Sequence, residues 1–110
     1  MNRLIPPRVD KLVQELKVGL IRIYGERLKG VYIYGSYARG EERNDSDIDV
    51  MIVLEDYDSY GKEIDRTGEL VSRLSLEYGI SISRVIMKEI QWKGSDTPLL
   101  RNVRMDGIPA

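Results

Sequence analysis

The chain has 110 residues, of which 42% are hydrophobic and 32% charged, with a formal net charge of −1 and neither cysteine nor histidine. This composition excludes disulfides, thiolate and imidazole metal sites and histidine bases, and the absence of a basic stripe argues against direct nucleic-acid binding. We expect one globular domain over residues 1–110 that is cytoplasmic, because no apolar run could span a membrane and the start, MNRLIPPRVD, lacks a signal-peptide core.

The first half of the chain predicts a helix followed by two strands. Pro6-Pro7 can start a helix, and apolar residues then recur at helical spacing as far as Leu28, with Gly30 as the stop. Residues 31–34 predict a short buried strand. Residues 48–54 are almost all apolar, which predicts a central strand that is covered on both faces.

The second half predicts one more helix, a third strand and a terminal helix. Residues 62–78 carry an apolar stripe at helical spacing, and residues 80–87 predict the third strand. Thr97 followed by Pro98 is typical of a helix start, and Gly107 marks its end. Helices alternating with strands predict an α/β (α+β) fold, a small mixed sheet packed by helices.

The most informative pattern couples a glycine-containing turn to a pair of aspartates. Gly35 and Ser36 open the stretch GSYARG, and Asp47 and Asp49 follow after ten intervening residues. Backbone N–H groups of such a turn, together with the Ser36 hydroxyl, can hold a phosphate. Because side chains alternate along a strand, the two aspartates project from one face and can share a hard cation such as Mg²⁺. Such equipment is typical of phosphoryl or nucleotidyl transfer. The structural alternative is that Asp47 is a cap and Asp49 is paired.

These motifs resemble those of a known family. GSYARG followed by SDIDVMIVL closely resembles the minimal nucleotidyltransferases (MNT), small relatives within the polymerase-beta-like nucleotidyltransferase superfamily. The flanking elements and the tail LLRNVRMDGI are similar too. Many such proteins are the antitoxin halves of HEPN/MNT toxin–antitoxin pairs. The resemblance implies a nucleotidyltransferase fold and Mg²⁺-dependent transfer of AMP, with ATP as substrate, to a tyrosine of a HEPN-domain toxin in a hetero-oligomer.

The resemblance also implies roles for individual residues. Gly35 and Ser36 would hold the β- and γ-phosphates of the nucleotide. Asp47 and Asp49 would be both the metal ligands and the catalytic residues. Arg39 would either assist phosphate binding or brace the acidic loop that follows it, and both interpretations remain open.

One departure from the family pattern concerns a third carboxylate. Catalytic members of the superfamily usually carry it on a later strand, but the third strand here offers Ser81, Ser83 and Arg84, and only Glu77 and Glu89 flank it. Without that group the acceptor hydroxyl lacks its obvious base. The alternative to an enzyme is therefore a non-catalytic antitoxin or nucleotide-binding module that neutralises its partner by binding. A third possibility is a structural domain on which the motif is a relic.

A partner polypeptide is also expected from the length of the chain. Larger nucleotidyltransferases append a helical domain that completes the nucleobase pocket, whereas this chain stops soon after its third strand. Trp92, in a polar stretch, is the best candidate for a surface that meets such a partner. The alternative is that Trp92 packs on its own core.

Overall fold

The fold is built on a mixed sheet of four strands within residues 5–110, the part of the chain that this computed structural model describes. In chain order the elements are α1 (Pro7–Tyr24), a 3₁₀ turn (Gly25–Arg27), β1 (Leu28–Tyr34), α2 (Ser36–Arg39), β2 (Ile48–Leu54), α3 (Tyr60–Tyr78), β3 (Ile82–Lys88), α4 (Glu89–Gly94), α5 (Pro98–Asp106) and β4 (Ile108–Pro109). The strand order is β3-β2-β1-β4. β2 pairs in parallel with β3, whereas β1 pairs antiparallel with both β2 and β4. The predicted fold class, a small mixed sheet packed by helices, is confirmed.

The two faces of the sheet are covered unequally. The side chains of β2 that point toward α1 and α3 are fully buried in the larger hydrophobic cluster: Ile48, Val50, Ile52 and Leu54. On the opposite face, Met51 and Val53 pack against Leu100 and Val103 of α5 in a much smaller cluster. β2 is therefore a central strand buried on both faces, as its apolar run predicts.

The first helix is shorter than its apolar spacing predicts. α1 ends at Tyr24 because Gly25 adopts a positive φ of 57°, and the chain then makes a 3₁₀ turn. Leu28, predicted as the last apolar residue of the helix, instead begins β1. Gly30, predicted as the helix stop, lies inside that strand and pairs with Val53.

Boundaries in the second half shift by smaller amounts. α3 begins at Tyr60 rather than at residue 62, because the Ser59 hydroxyl accepts a hydrogen bond from the Lys62 N–H at 3.4 Å. β3 spans Ile82–Lys88 rather than residues 80–87. α5 begins as predicted, with the Thr97 hydroxyl accepting from the Leu100 N–H at 3.2 Å. Two short elements, α4 and β4, were not predicted.

Trp92 packs on its own sheet. Its ring stacks on Tyr32 of β1 with centroids 4.8 Å apart, and the Arg104 guanidinium lies 5.3 Å from the centroid of the indole. The alternative that Trp92 packs on its own core therefore agrees with the structure, and the tryptophan ties α4 to the sheet. A contact of Trp92 with a partner stays a prediction. None of the helices between residues 5 and 110 combines the length and the apolar character that crossing a bilayer requires.

Candidate functional site

The two aspartates stand where β2 begins, on the less covered face of the sheet. Asp49 lies opposite Tyr34 of β1 and opposite Ser83 of β3. The Ser83 hydroxyl donates a hydrogen bond to Asp47 Oδ2 at 3.3 Å, so Asp47 reaches over the same face. Asp47 is exposed, whereas Asp49 is half-buried. The prediction that both carboxylates share a face thus agrees with the geometry; their roles as ligands stay a prediction.

The electrostatics of the pair favour a cation between them. Burial raises the pKa of Asp49, the negative charge of Asp47 raises it further, and only the positive charge of Arg39 opposes the shift. A hard divalent cation would relieve both penalties, and carboxylate oxygens are the ligands that Mg²⁺ prefers. Across residues 5–110 no group of three or more acidic, histidine or cysteine side chains converges. The pair therefore suits a cation that takes its remaining ligands from phosphate oxygens and water.

Gly35 joins the turn to the aspartate pair. It has a positive φ of 75°, a conformation that disfavours other residues. A Cβ atom at this position would strike the Asp49 carboxylate. Glycine thus suits the backbone path, and its lack of a side chain leaves room for the Asp49 carboxylate. Ser36 follows as the first, half-exposed residue of α2, and its carbonyl accepts a hydrogen bond from the Glu41 N–H at 2.9 Å.

Arg39 lies between the turn and the acidic loop. Its Nε donates to Glu41 Oε1 at 2.7 Å, which is the bracing contact that one interpretation predicts. That hydrogen bond raises the pKa of the Arg39 guanidinium, and the charges of Glu41, Asp106 and Asp49 add to the shift. The same guanidinium is close enough to the pair to lower the pKa of Asp49. Its role in phosphate binding stays a prediction.

Asp106, the last residue of α5, was not anticipated near the site. The antiparallel pairing of β4 with β1, in which Ile108 lies opposite Ile33, brings the end of α5 beside the end of β1. A strand of two residues is too short to show a periodic pattern, so the sequence offered no signal for this approach.

The residue of β3 beside the aspartate pair is a serine, not a third carboxylate. Ser83 lies opposite Asp49, and its hydroxyl donates a hydrogen bond to Asp47. Glu77 pairs instead with Arg73 on α3, with N–O 3.7 Å, and Glu89 pairs with Lys93 on α4 at 3.5 Å. Glu89 also follows the far end of β3, six residues from Ser83, so neither acid substitutes for the missing group.

Tyr34 is a further neighbour of the pair that the sequence pattern did not single out. It is half-buried, and its pKa is raised by burial first and then by the negative charge of Asp49. Its hydroxyl is therefore a hydrogen-bond donor at neutral pH. Only the antiparallel register of β1 and β2 reveals that Tyr34 lies beside Asp49.

Comparisons of sequence place the chain among nucleotidyltransferases. The family model described as "Polymerase beta, Nucleotidyltransferase" matches residues 15–100. Two Methanocaldococcus jannaschii proteins whose names assign them to the protein adenylyltransferases, MJ0141 and MJ0604, are each 35% identical to this chain. The match to MJ0141 covers 74% of this chain and 81% of MJ0141. The match to MJ0604 covers 73% of this chain and 74% of MJ0604.

Solved structures share the fold. The match to the structure of a minimal nucleotidyltransferase covers 92% of this chain and 94% of that chain, with a TM-score of 0.60 and 24% identity. A toxin–antitoxin structure with AMP-PNP gives a TM-score of 0.61 at 22% identity, covering 87% of this chain and 70% of that chain. A complex of a tri-AMPylated Shewanella oneidensis HEPN toxin with an MNT antitoxin gives a TM-score of 0.53 at 18% identity. That match covers 93% of this chain and 67% of the matched chain. At these identities the likeness shows the architecture alone.

Replacing Gly35 with alanine should destabilise the protein more than replacing Gly25. Both glycines have positive φ, so alanine at either position costs about 1–3 kcal/mol of strain. In the described part of the chain, a Cβ at Gly35 strikes Asp49, whereas a Cβ at Gly25 meets nothing within 4 Å. We expect Gly35→Ala to lose about 1–3 kcal/mol more free energy of unfolding in urea than Gly25→Ala, the usual cost of overpacking. Equal losses would contradict a tight contact between Gly35 and Asp49.

Proposed function

The chain belongs to the polymerase beta nucleotidyltransferase family, and we propose that it is a Mg²⁺-dependent adenylyltransferase that moves AMP from ATP onto a HEPN-type toxin. It would thereby act as the antitoxin of that partner. The observation that carries the proposal is the Asp47–Asp49 pair, which stands on one sheet face against the Gly35 turn. The names of the M. jannaschii relatives and the toxin–antitoxin structures support the choice of acceptor.

The residues of the turn and of the pair would divide the work of holding the nucleotide. Backbone N–H groups at Gly35 and Ser36, with the Ser36 hydroxyl, would donate to the β- and γ-phosphates. Mg²⁺, when bound by Asp47 and Asp49, would neutralise phosphate charge. Arg39 is near enough to add a further positive charge once its bond to Glu41 is exchanged for one to phosphate.

Transfer would then be an in-line displacement. The acceptor hydroxyl oxygen forms a bond to the α-phosphorus while the bond from that phosphorus to the bridging oxygen breaks, and pyrophosphate leaves. The proton of the hydroxyl must pass to a base. Ser83, the residue of β3 beside the pair, is not basic. We therefore assign the base to the partner protein, which would make transfer depend on docking.

Ser83 also favours a second candidate function. A chain that has two carboxylates but no base of its own can bind a metal–nucleotide complex without turning it over. In that case the protein would neutralise its toxin by binding alone. The two candidates share the same nucleotide site and differ in whether the partner becomes modified.

Loss of either carboxylate should abolish transfer and leave the fold intact. Asp47→Asn and Asp49→Asn each remove one charge from a repulsive pair, so neither should lower stability, whereas transfer should fall about a hundredfold or more. The intact mass of the co-expressed partner measures this directly, because each transfer adds one nucleotide monophosphate. Asp45→Asn, an exposed acid of the same loop, is the matched control and should transfer normally.

Two other outcomes would contradict parts of the proposal. Full transfer by Asp47→Asn or Asp49→Asn would contradict the metal assignment. An unmodified partner that co-purifies with the native chain and with both variants would identify a binding antitoxin instead of an enzyme.

Placing a carboxylate at residue 83 should supply the missing base. We expect Ser83→Asp to raise AMP transfer to a peptide whose tyrosine is its only ionisable side chain by about a hundredfold, the lower range for a positioned base. Ser83→Asn, which has the same shape without the charge, should not change the rate. The extra charge should lower the Tm without Mg²⁺, and Mg²⁺ should restore it. Equal rates for both variants would show that residue 83 is not where the base acts.

A further inference from the structure

Tyr34 occupies a distinctive place beside the candidate site. It is the last residue of β1, directly precedes Gly35 and lies opposite Asp49 in the sheet register. Its side chain is on the same sheet face as Asp49 and Met51, since directly opposed residues of an antiparallel pair share a face. The residue packs on the small cluster that includes Met51 and Leu100 and remains partly exposed.

The other accessible aromatic rings of the described chain are engaged with partners. Tyr32, two residues earlier on the same face, is stacked on Trp92. Tyr57 and Tyr60 contact each other with centroids 6.2 Å apart. No aromatic ring or cationic group packs on the Tyr34 ring within residues 5–110. The exposed part of the Tyr34 ring, beside a polar site, is therefore not occupied by an aromatic or cationic partner from the described chain.

We propose that Tyr34 is the platform on which the nucleoside part of the bound triphosphate rests. The inference depends on the proposed function, because it takes the Gly35 turn and the aspartate pair as the triphosphate site. A triphosphate that bridges Gly35 and Asp49 must pass next to Tyr34. Tyr34 directly precedes Gly35 in the sequence and lies opposite Asp49 in the sheet. The sugar and base, attached at the α-phosphate, then extend over the same face of the sheet.

The chemistry of this contact predicts affinity without strict choice of base. Stacking on a tyrosine ring is available to every base, because every base has a π face. The phenol hydroxyl can donate a hydrogen bond to the sugar. Tyr34 would therefore be a positioning and binding residue, and would act on nucleosides but not on the phosphate chain.

The test compares two ligands that differ only in the nucleoside. Binding of ATP and of inorganic tripolyphosphate, each with Mg²⁺, is measured by calorimetry for the native chain, Tyr34→Leu and Tyr34→Phe. We expect Tyr34→Leu to weaken ATP binding by about tenfold, the scale of one lost stacking contact. Tripolyphosphate should bind equally to all three proteins, which also shows that the variants are folded. Tyr34→Phe keeps the ring and should recover most of the ATP affinity.

Each contrary result has a distinct meaning. If Tyr34→Leu weakens ATP and tripolyphosphate alike, the tyrosine only supports the turn, and the inference is overturned while the phosphate site stands. ATP binding that is the same in Tyr34→Leu and the native chain also overturns it. If the native chain binds neither ligand, the proposed function fails first and takes the inference with it.

Discussion

The arrangement of the site depends on one close contact, between the backbone of Gly35 and the carboxylate of Asp49. β2 is otherwise an apolar, buried strand, and Asp49 is the one charged side chain within it. Its charged form is disfavoured by burial and by Asp47. The carboxylate can remain there because Gly35 has no side chain and because the face of the sheet is open at this end. That contact joins the turn and the start of α2 to the first residues of β2.

The unequal covering of the sheet decides where function can reside. α1 and α3 bury one face along the whole of β2, whereas α5 covers only the part of the other face that carries Met51 and Val53. Toward the start of β2 the same face presents Asp47 and Ser83, both exposed, and Asp49, half-buried. A ligand or an acceptor side chain can therefore approach the pair only from this side. Trp92 connects α4 to Tyr32 of the sheet and to Arg104 of α5 at that boundary.

The sequence predicted the elements whose patterns are local and missed those that depend on tertiary contacts. Residues 48–54 and the start of α5 at Thr97 matched their predictions because an apolar run and a cap are sufficient signals. The predicted end of α1 was wrong because Leu28 continues the helical spacing of apolar residues, although the helix already ends before Gly25. The shared face of Asp47 and Asp49 followed from strand alternation. The approach of Ser83, Tyr34 and Asp106 required the strand register, which no local pattern encodes.

The energetic cost of the site bears on the interpretation of the motif as a relic. The half-buried carboxylate of Asp49, repelled by Asp47, lowers the stability of the fold. An apolar residue at position 49 would remove this cost and leave the strand fully apolar. Such a local cost is typical of functional sites. The cation of a metal–nucleotide complex would offset the repulsion between Asp47 and Asp49. The cost of Asp49 therefore favours a working nucleotide site, and it does so equally for an enzyme and for a binding antitoxin.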